Sequence, residues 1–185
     1  MKPLLYYERD FLRFDLLRKF NVSNSFALPR LNKIVLNMSI NSVTKNKKNF
    51  SSGLLLLELF SQQKPFVIRA KTSISNFNLR KNSLIACKVT LRRDALFTFL
   101  FLFIHVFLPR IKNFDGLSIL DFDKQCNLNL GLENFSSYLE VFGLLEKFES
   151  FYGCNLSFVF DSFFCKKISL LYSQSYLSGL QLPLR

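Results

Sequence analysis

The spacing of hydrophobic residues changes phase several times along the chain, and each phase predicts a different element. Over residues 4–20, LLYYERDFLRFDLLRKF, the positions Leu5, Leu12, Leu16 and Phe20 fall on about one side of a helical period, with Glu8, Arg9, Arg13 and Lys19 interleaved as polar positions. That spacing predicts an amphipathic helix. Asn24, Ser25 and Pro29 break it. From Leu31 the period drops to two: Ile34, Leu36, Met38 and Ile40 alternate with Lys33, Val35, Asn37 and Ser39, as in a strand with one core face and one mixed face. A polar basic stretch over 41–49 precedes an apolar helix over 50–60, FSSGLLLLELF, weakened slightly by Gly53. Pro65 pushes Lys64 towards extended geometry and ends that helix.

Two strands follow, over 66–70 and 83–92. In the second, Ile85, Cys87, Val89 and Leu91 share one face and Leu84, Ala86, Lys88, Thr90 and Arg92 the other. The stretch between them, KTSISNFNLRKNS over 71–83, has only Ile74, Phe77 and Leu79 as apolar residues, which predicts a long projecting hairpin loop. The run ALFTFLFLFIHVFL over 95–108 is 14 residues long, short of the roughly 20 needed to span a hydrocarbon core. Arg92, Arg93 and Asp94 precede it and Pro109-Arg110 follow, so it reads as a buried core helix that carries His105. Beyond a loop over 109–120, the pattern predicts a strand over 126–132, a short helix within 137–150, a strand over 155–161 and a terminal helix over about 164–176. Together these predict an α+β fold, a single mostly antiparallel sheet with helices packed on one face and the other face free to bind. The 185 residues read as a single domain.

Composition narrows the class of protein. Hydrophobic residues make up 49% of the chain, with only 6 Gly and 5 Pro, which excludes collagenous and disordered classes. Phe occurs 23 times and Trp never, the skew of a strongly biased genome. The net charge of +12 is unevenly placed: residues 1–112 carry 20 Lys and Arg against 5 Asp and Glu, whereas 113–185 carry 5 against 8. The basic part, +15, calls for a polyanionic partner; the remainder, −3, does not. Glu8, Arg9, Asp10 and Arg13 interrupt the first hydrophobic residues, so no signal peptide is predicted.

Candidate chemistry is sparse. Cys87, Cys126, Cys154 and Cys165 show no metal-binding or redox spacing and read as small hydrophobes in a reducing compartment. The pairs Asp121/Asp123 and Glu146/Glu149 lack a companion histidine or third ligand and read as solvated surface. No phosphate-binding or nucleophile motif is present, so neither an enzyme nor a cofactor, metal or small-molecule substrate is predicted. Basic residues do interleave with amides and hydroxyls, at Lys33 and Asn37, at Gln62, Gln63 and Lys64, at Arg69 and Lys71, at Arg80 and Lys81, and at Lys88, Thr90, Arg92 and Arg93. Short pieces of one surface drawn from several elements suit a folded RNA read by shape.

Six ordered blocks carry a resemblance to a known family: PRLNKIVLNM (29–38), QKP (63–65), RAKTSISNFNLR (69–80), CKVTLR (87–92), LPRIKNFDGLS (108–118) and DFDKQCNLNLGLEN (121–134). In order and spacing the chain resembles the large-subunit ribosomal protein L5 family (uL5), with a composition suggesting a mitochondrial type; a plastid is the alternative source and an AT-biased bacterium the third. The resemblance implies a structural constituent of the large ribosomal subunit, in its central protuberance beside other proteins of that region. It implies binding to 5S rRNA or its equivalent and to large-subunit rRNA, through Lys33, Asn37, Gln63, Lys64, Arg69, Lys88, Thr90, Arg92 and Arg93. It further implies a loop approaching the peptidyl-site tRNA, formed by Lys71, Thr72, Ser73, Ile74, Ser75, Asn76, Phe77, Asn78 and Arg80. The region of Arg110, Lys112 and Asp115 would face a small-subunit head protein of the S13 type. The chain departs from the family where Ser39-Ile40-Asn41 replaces a Gly-Val-Gly type turn, where Thr72 and Asn78 replace lysines, and where Gln62 replaces the glycine before QKP. The alternative function is a free RNA-binding or RNA-chaperone module not stably incorporated in ribosomes.

Overall fold

The computed structural model describes residues 3–40, 47–111, 114–132, 153–161 and 169–185. Its strands are β1 (Arg30–Ser39), β2 (Phe66–Arg69), β3 (Leu84–Leu91), β4 (Leu128–Leu132) and β5 (Cys154–Asp161). They form one mostly antiparallel sheet in the order β2-β3-β1-β5-β4, with helices packed on it, the α+β architecture that the alternating segments predict. The chain divides into two compact units, the first made of Met1–Ile34, Arg92–Leu130 and Ser157–Arg185, the second of Val35–Leu91 and Gly131–Leu156.

In the first unit the N-terminal segment is helical from α1 (Pro3–Tyr7) through a π turn (Glu8–Leu12) into α2 (Arg13–Phe20). Its buried stripe is Leu4, Glu8, Leu12 and Leu16, each four residues from the last. A four-residue step overshoots an α turn by about 0.4 residue, and the wider π turn takes up the drift that would otherwise carry the stripe off the core. Two sequence-based expectations therefore change. Leu5 and Phe20 are only half-buried, and Glu8, read as a polar surface position, is 4% exposed. Its Oε1 accepts hydrogen bonds from the Tyr176 hydroxyl and from Arg13 Nε, both at 3.2 Å, so the buried carboxyl is satisfied. Tyr176 lies on the terminal helix α5 (Ser169–Gly179). That helix ends at Gly179, within a few residues of the expected end, and Leu177 and Leu180 are buried beside Tyr176. Gly179 lacks the Cβ that would collide with Leu12.

The Phe-rich run supplies the rest of this core. Helix α4 (Arg93–Leu102) starts two residues earlier than expected and continues as a π turn through Phe107. Leu96, Phe97, Phe99, Leu100, Phe103 and Phe107 are buried. Phe99, Phe103 and Phe107 stack in series with ring centroids 5.9 and 5.5 Å apart, and Phe103 tilts against Phe158 of β5 at 6.0 Å. Each such pair adds about 0.5–1.5 kcal/mol beyond its buried area. The opposite side is turned outward: Phe101 is half-buried and its ring is tilted against exposed His105 at 4.5 Å. Among the described residues no helix is long and apolar enough to cross a membrane.

Asp123 is not the simple solvated carboxylate the sequence suggested. Its Oδ1 accepts from the backbone N–H groups of Gln125 and Asn127 at 2.8 Å, and its Oδ2 accepts from Asn127 Nδ2 at 3.0 Å. Buried Asn127 in turn accepts the N–H of Phe160 through Oδ1 at 3.1 Å. A turn carboxylate thereby fixes the entry to β4.

In the second unit, helix α3 (Lys47–Ser61) begins inside the stretch read as a loop and buries Phe50, Gly53, Leu56, Leu57 and Phe60. An added Cβ at Gly53 would stand 2.5 Å from Ile40 Cδ1, 3.3 Å from Ile40 Cγ1 and 3.4 Å from Met38 Sδ. The glycine read as a weak point is thus the place where helix and strand approach closely. The α3 terminus is closed by Gln62, whose φ of 54° lies in the left-handed region. Residues 41–46, the helix expected within 137–150, and residues 162–168, which include Cys165, lie outside the described residues.

The middle of α3 and its C-terminal end generate opposite expectations. For Gly53→Ala, a gain in helix propensity of about 1 kcal/mol opposes overpacking of about 1–3 kcal/mol, giving a net loss of up to about 2 kcal/mol. For Gln62→Gly, relief of a left-handed conformation costing about 1–2 kcal/mol outweighs the greater freedom of the unfolded glycine, a net gain of about 0.5–1 kcal/mol. Urea unfolding of the two variants and the parent chain checks both signs.

Candidate nucleic-acid interface

The antiparallel register of β2 and β3 builds the first part of the candidate surface. Phe66 lies opposite Lys88 and Ile68 opposite Ala86, and directly opposed residues of an antiparallel pair share a face. Phe66 is 72% exposed, Lys88 is exposed, and half-buried Thr90 lies two residues farther along the same face. Cys87, Val89 and Leu91 occupy the other face and are buried, as the alternation predicted. Arg69 is exposed opposite Leu84, beyond a register irregularity. Gln63 and Lys64 are exposed just before β2. The buried Ser61 hydroxyl positions them: it donates to the Leu57 carbonyl at 2.7 Å and accepts from the Gln63 N–H at 3.3 Å.

The β2–β3 connection is a hydrogen-bonded hairpin rather than a plain loop. Ile74 and Leu79 exchange two backbone bonds of 3.0 and 3.1 Å, Asn78 closes the tip by donating to the Ser75 carbonyl, and Lys81 N–H donates to Ser73 Oγ at 2.9 Å. At the base, Asn82 N–H donates to the Ala70 carbonyl at 3.0 Å. Residues 71–78 and Arg80 are all exposed, and Phe77 at the tip is 70% exposed. The three apolar residues do not organise this segment; its backbone pairing does. Asn78 contributes a left-handed φ of 52°. Lys71, Thr72, Ser73, Ile74, Ser75, Asn76, Phe77, Asn78 and Arg80 are therefore presented on one small hairpin.

On β1 of the second unit, Asn37 is half-buried and its Oδ1 has no hydrogen-bond partner. The remaining predicted residues belong to the first unit. Lys33 is half-buried, and exposed Arg92 and Arg93 border an open cleft of about 490 Å³. Its walls include Arg13 and Arg30, Asp161 is its acidic member, and Leu16, Leu31, Phe97 and Tyr176 form an apolar floor. Arg13, Arg30 and Phe26 were missed by the sequence reading, since they lie on a helix, at a strand start and in a 3₁₀ turn, with no common period. Arg110 and Asp115 are exposed, and Asp115 lies 3.8 Å from exposed Arg185, a pair of little energetic weight. Lys112 lies outside the described residues.

Titration behaviour points away from reactive chemistry. Burial pushes the Cys87 thiol up to about 11 and that of Cys154 up to about 12, so neither is a nucleophile near neutral pH. Among the described residues no group of three metal-ligating side chains occurs. The Tyr176 hydroxyl is raised well above 10.0, chiefly by burial and then by the adjacent Glu8 carboxyl.

Exposed cations and aromatics carried on a mostly antiparallel α+β frame are features of a structural, RNA-associated class of protein. Sequence comparison makes the class specific: the model of ribosomal protein L5 matches residues 24–80, and that of the ribosomal L5P family C-terminus matches residues 84–183. The chain belongs to the ribosomal protein L5 family and is a structural ribosomal protein. It is 35% identical to large ribosomal subunit protein uL5m of Reclinomonas americana over 184 residues, covering 100% of this chain and 98% of that protein. It is 41% identical to uL5 of Thermus thermophilus over 136 residues, 74% of each chain. It is also 41% identical to uL5 of Lactobacillus helveticus over 126 residues, 68% of this chain and 70% of that protein.

The Glu8–Tyr176 contact has a pH consequence. Because the folded pKa of Tyr176 is raised, its contribution to stability is present below the ordinary value of 10.0 and is lost as pH rises from there towards the folded value. The melting temperature should fall between pH 9 and pH 11. Tyr176→Phe should be less stable at pH 8 and show a smaller alkaline drop, which thermal melts at the two pH values measure.

Proposed function

We propose that the chain is a structural constituent of the large ribosomal subunit that binds rRNA, with the β2–β3 face as a principal contact. The observation that carries this reading is the register pairing of exposed Phe66 with exposed Lys88, a ring and a cation set side by side on a rigid strand pair. Arg or Lys beside an exposed ring offers a phosphate contact and a stacking surface together. On this reading Lys33, Asn37, Gln63, Lys64, Arg69, Lys88, Thr90, Arg92 and Arg93 face rRNA, both 5S rRNA or its equivalent and large-subunit rRNA in the central protuberance.

The hairpin from Lys71 to Arg80 is assigned to the peptidyl-site tRNA. It offers hydroxyl, amide and apolar groups without a base-reading geometry, which suits a contact that must accept many tRNAs. The side of Arg110, Lys112 and Asp115 is assigned to a small-subunit head protein of the S13 type. The biased composition supports a mitochondrial ribosome in the matrix, with a plastid as the alternative.

Two experiments test this. Neutralising Lys64 and Lys88 should weaken rRNA binding and lower the slope of log K against log salt by about 1 per residue, whereas Lys124→Gln should leave it unchanged. Deleting Ser73–Asn78 and closing the hairpin with Asn-Gly should leave the protein in purified large subunits while lowering tRNA occupancy. Migration of the parent chain only in light gradient fractions, with RNA binding intact, would instead favour the free RNA-binding module.

A further inference from the structure

The cleft of the first unit has features that a general phosphate-facing surface does not require. Phe26 borders it and is 75% exposed, although apolar residues cover the floor a short distance away. Its backbone is held: the Asn24 side chain accepts the Phe26 N–H at 3.0 Å, and the Ala27 N–H donates to the Asn24 carbonyl at 3.1 Å. The ring is thus presented from a fixed turn, and among the described residues no aromatic contact engages it. Four arginines border the same space against one carboxylate, Asp161. Arg13 is tied through Nε to Glu8, while no ion pair or side-chain hydrogen bond among the described residues engages Arg30, Arg92 or Arg93. Arg93, the first residue of α4, has a left-handed φ of 52°.

A ring, an apolar floor and three uncommitted guanidinium groups around about 490 Å³ select a ligand with a flat face and a negative charge close together. A paired nucleotide keeps its base inside the helix, so only an unpaired one presents base face and phosphate to the same pocket. Resting on the RNA-binding reading above, we propose that this cleft captures one unpaired RNA nucleotide, its base stacked on Phe26 and its phosphate held by Arg30, Arg92 and Arg93. The site is separate in kind from the β2–β3 face: it takes a base out of solution, where the sheet face follows a backbone.

Cross-linking tests the assignment. The full chain is bound to large-subunit rRNA of the same genome transcribed with 4-thiouridine, irradiated, and digested with trypsin. The expected result is a cross-link on the peptide spanning residues 20–30, lost in Phe26→Ala. That variant should bind the rRNA about tenfold more weakly with an unchanged salt slope, while Arg30→Gln with Arg93→Gln should lower the slope by about 2. Phe26 is exposed, so its loss leaves the core intact. Cross-links confined to peptides of residues 35–91, or a Phe26→Ala variant that binds as tightly as the parent, would overturn the nucleotide site and leave rRNA binding standing. Cross-linking of the 20–30 peptide to protein alone in assembled subunits would overturn it in favour of a protein ligand. An absence of any cross-link and of any binding would overturn both readings.

Discussion

The structure depends on a strand whose core face admits no water. In β1, Ile34, Leu36 and Met38 are fully buried, and β1 is the middle strand of the five. Removing that apolar area from water stabilises by roughly 25 cal/mol per Å², and a helix is needed to cover it. Helix α3 supplies the cover over Met38 and Ile40, which requires a residue without a side chain at Gly53. With the core face committed in this way, the intervening positions Lys33, Val35, Asn37 and Ser39 cannot enter the core without flipping the whole strand. The polar character of the opposite face is a consequence of register as much as of residue choice.

The aromatic residues divide along the same line. Phe99, Phe103, Phe107 and Phe158 build the core of the first unit, where stacking gives their bulk a defined arrangement. Phe26, Phe66 and Phe77 remain outside on rigid supports, a capped turn, a register-locked strand and a backbone-paired hairpin. A chain with 23 phenylalanines and no tryptophan thus uses one side chain for two purposes. Two of the outer rings have cations beside them: Lys88 lies opposite Phe66, and Arg30 and Arg93 share the cleft with Phe26.

Much of this was legible in the sequence, for a physical reason. Period-two alternation in β1 and β3 is dictated by which side chains are buried, so the faces could be read directly. The same logic fails where burial is not hydrophobic. Glu8 counts as a surface residue in any periodicity argument, and only the spatial arrival of Tyr176 and Arg13 makes its burial tolerable. Gly53 looks like a propensity defect because its value lies in a contact with Ile40. The cleft was invisible because Arg13, Phe26, Arg30 and Arg93 come from a helix, a turn, a strand start and a second helix, and their convergence is a property of the fold alone. The hairpin was located by its shortage of apolar residues, but its internal pairing was not, since backbone hydrogen bonds leave no trace in side-chain pattern.

The bond between Glu8 and Tyr176 joins residues 168 positions apart. A ribosome makes the first of these early and the second near the end of synthesis, at roughly 5–20 residues per second. Throughout that interval the N-terminal helix holds a carboxyl with no hydroxyl to meet it, and Leu12 lacks the glycine-bearing helix that seals it. A chain that ends before Tyr176 and Gly179 lacks both the hydroxyl that satisfies Glu8 and the close helix contact at Leu12, so the last residues of the first unit complete the packing that the first ones begin.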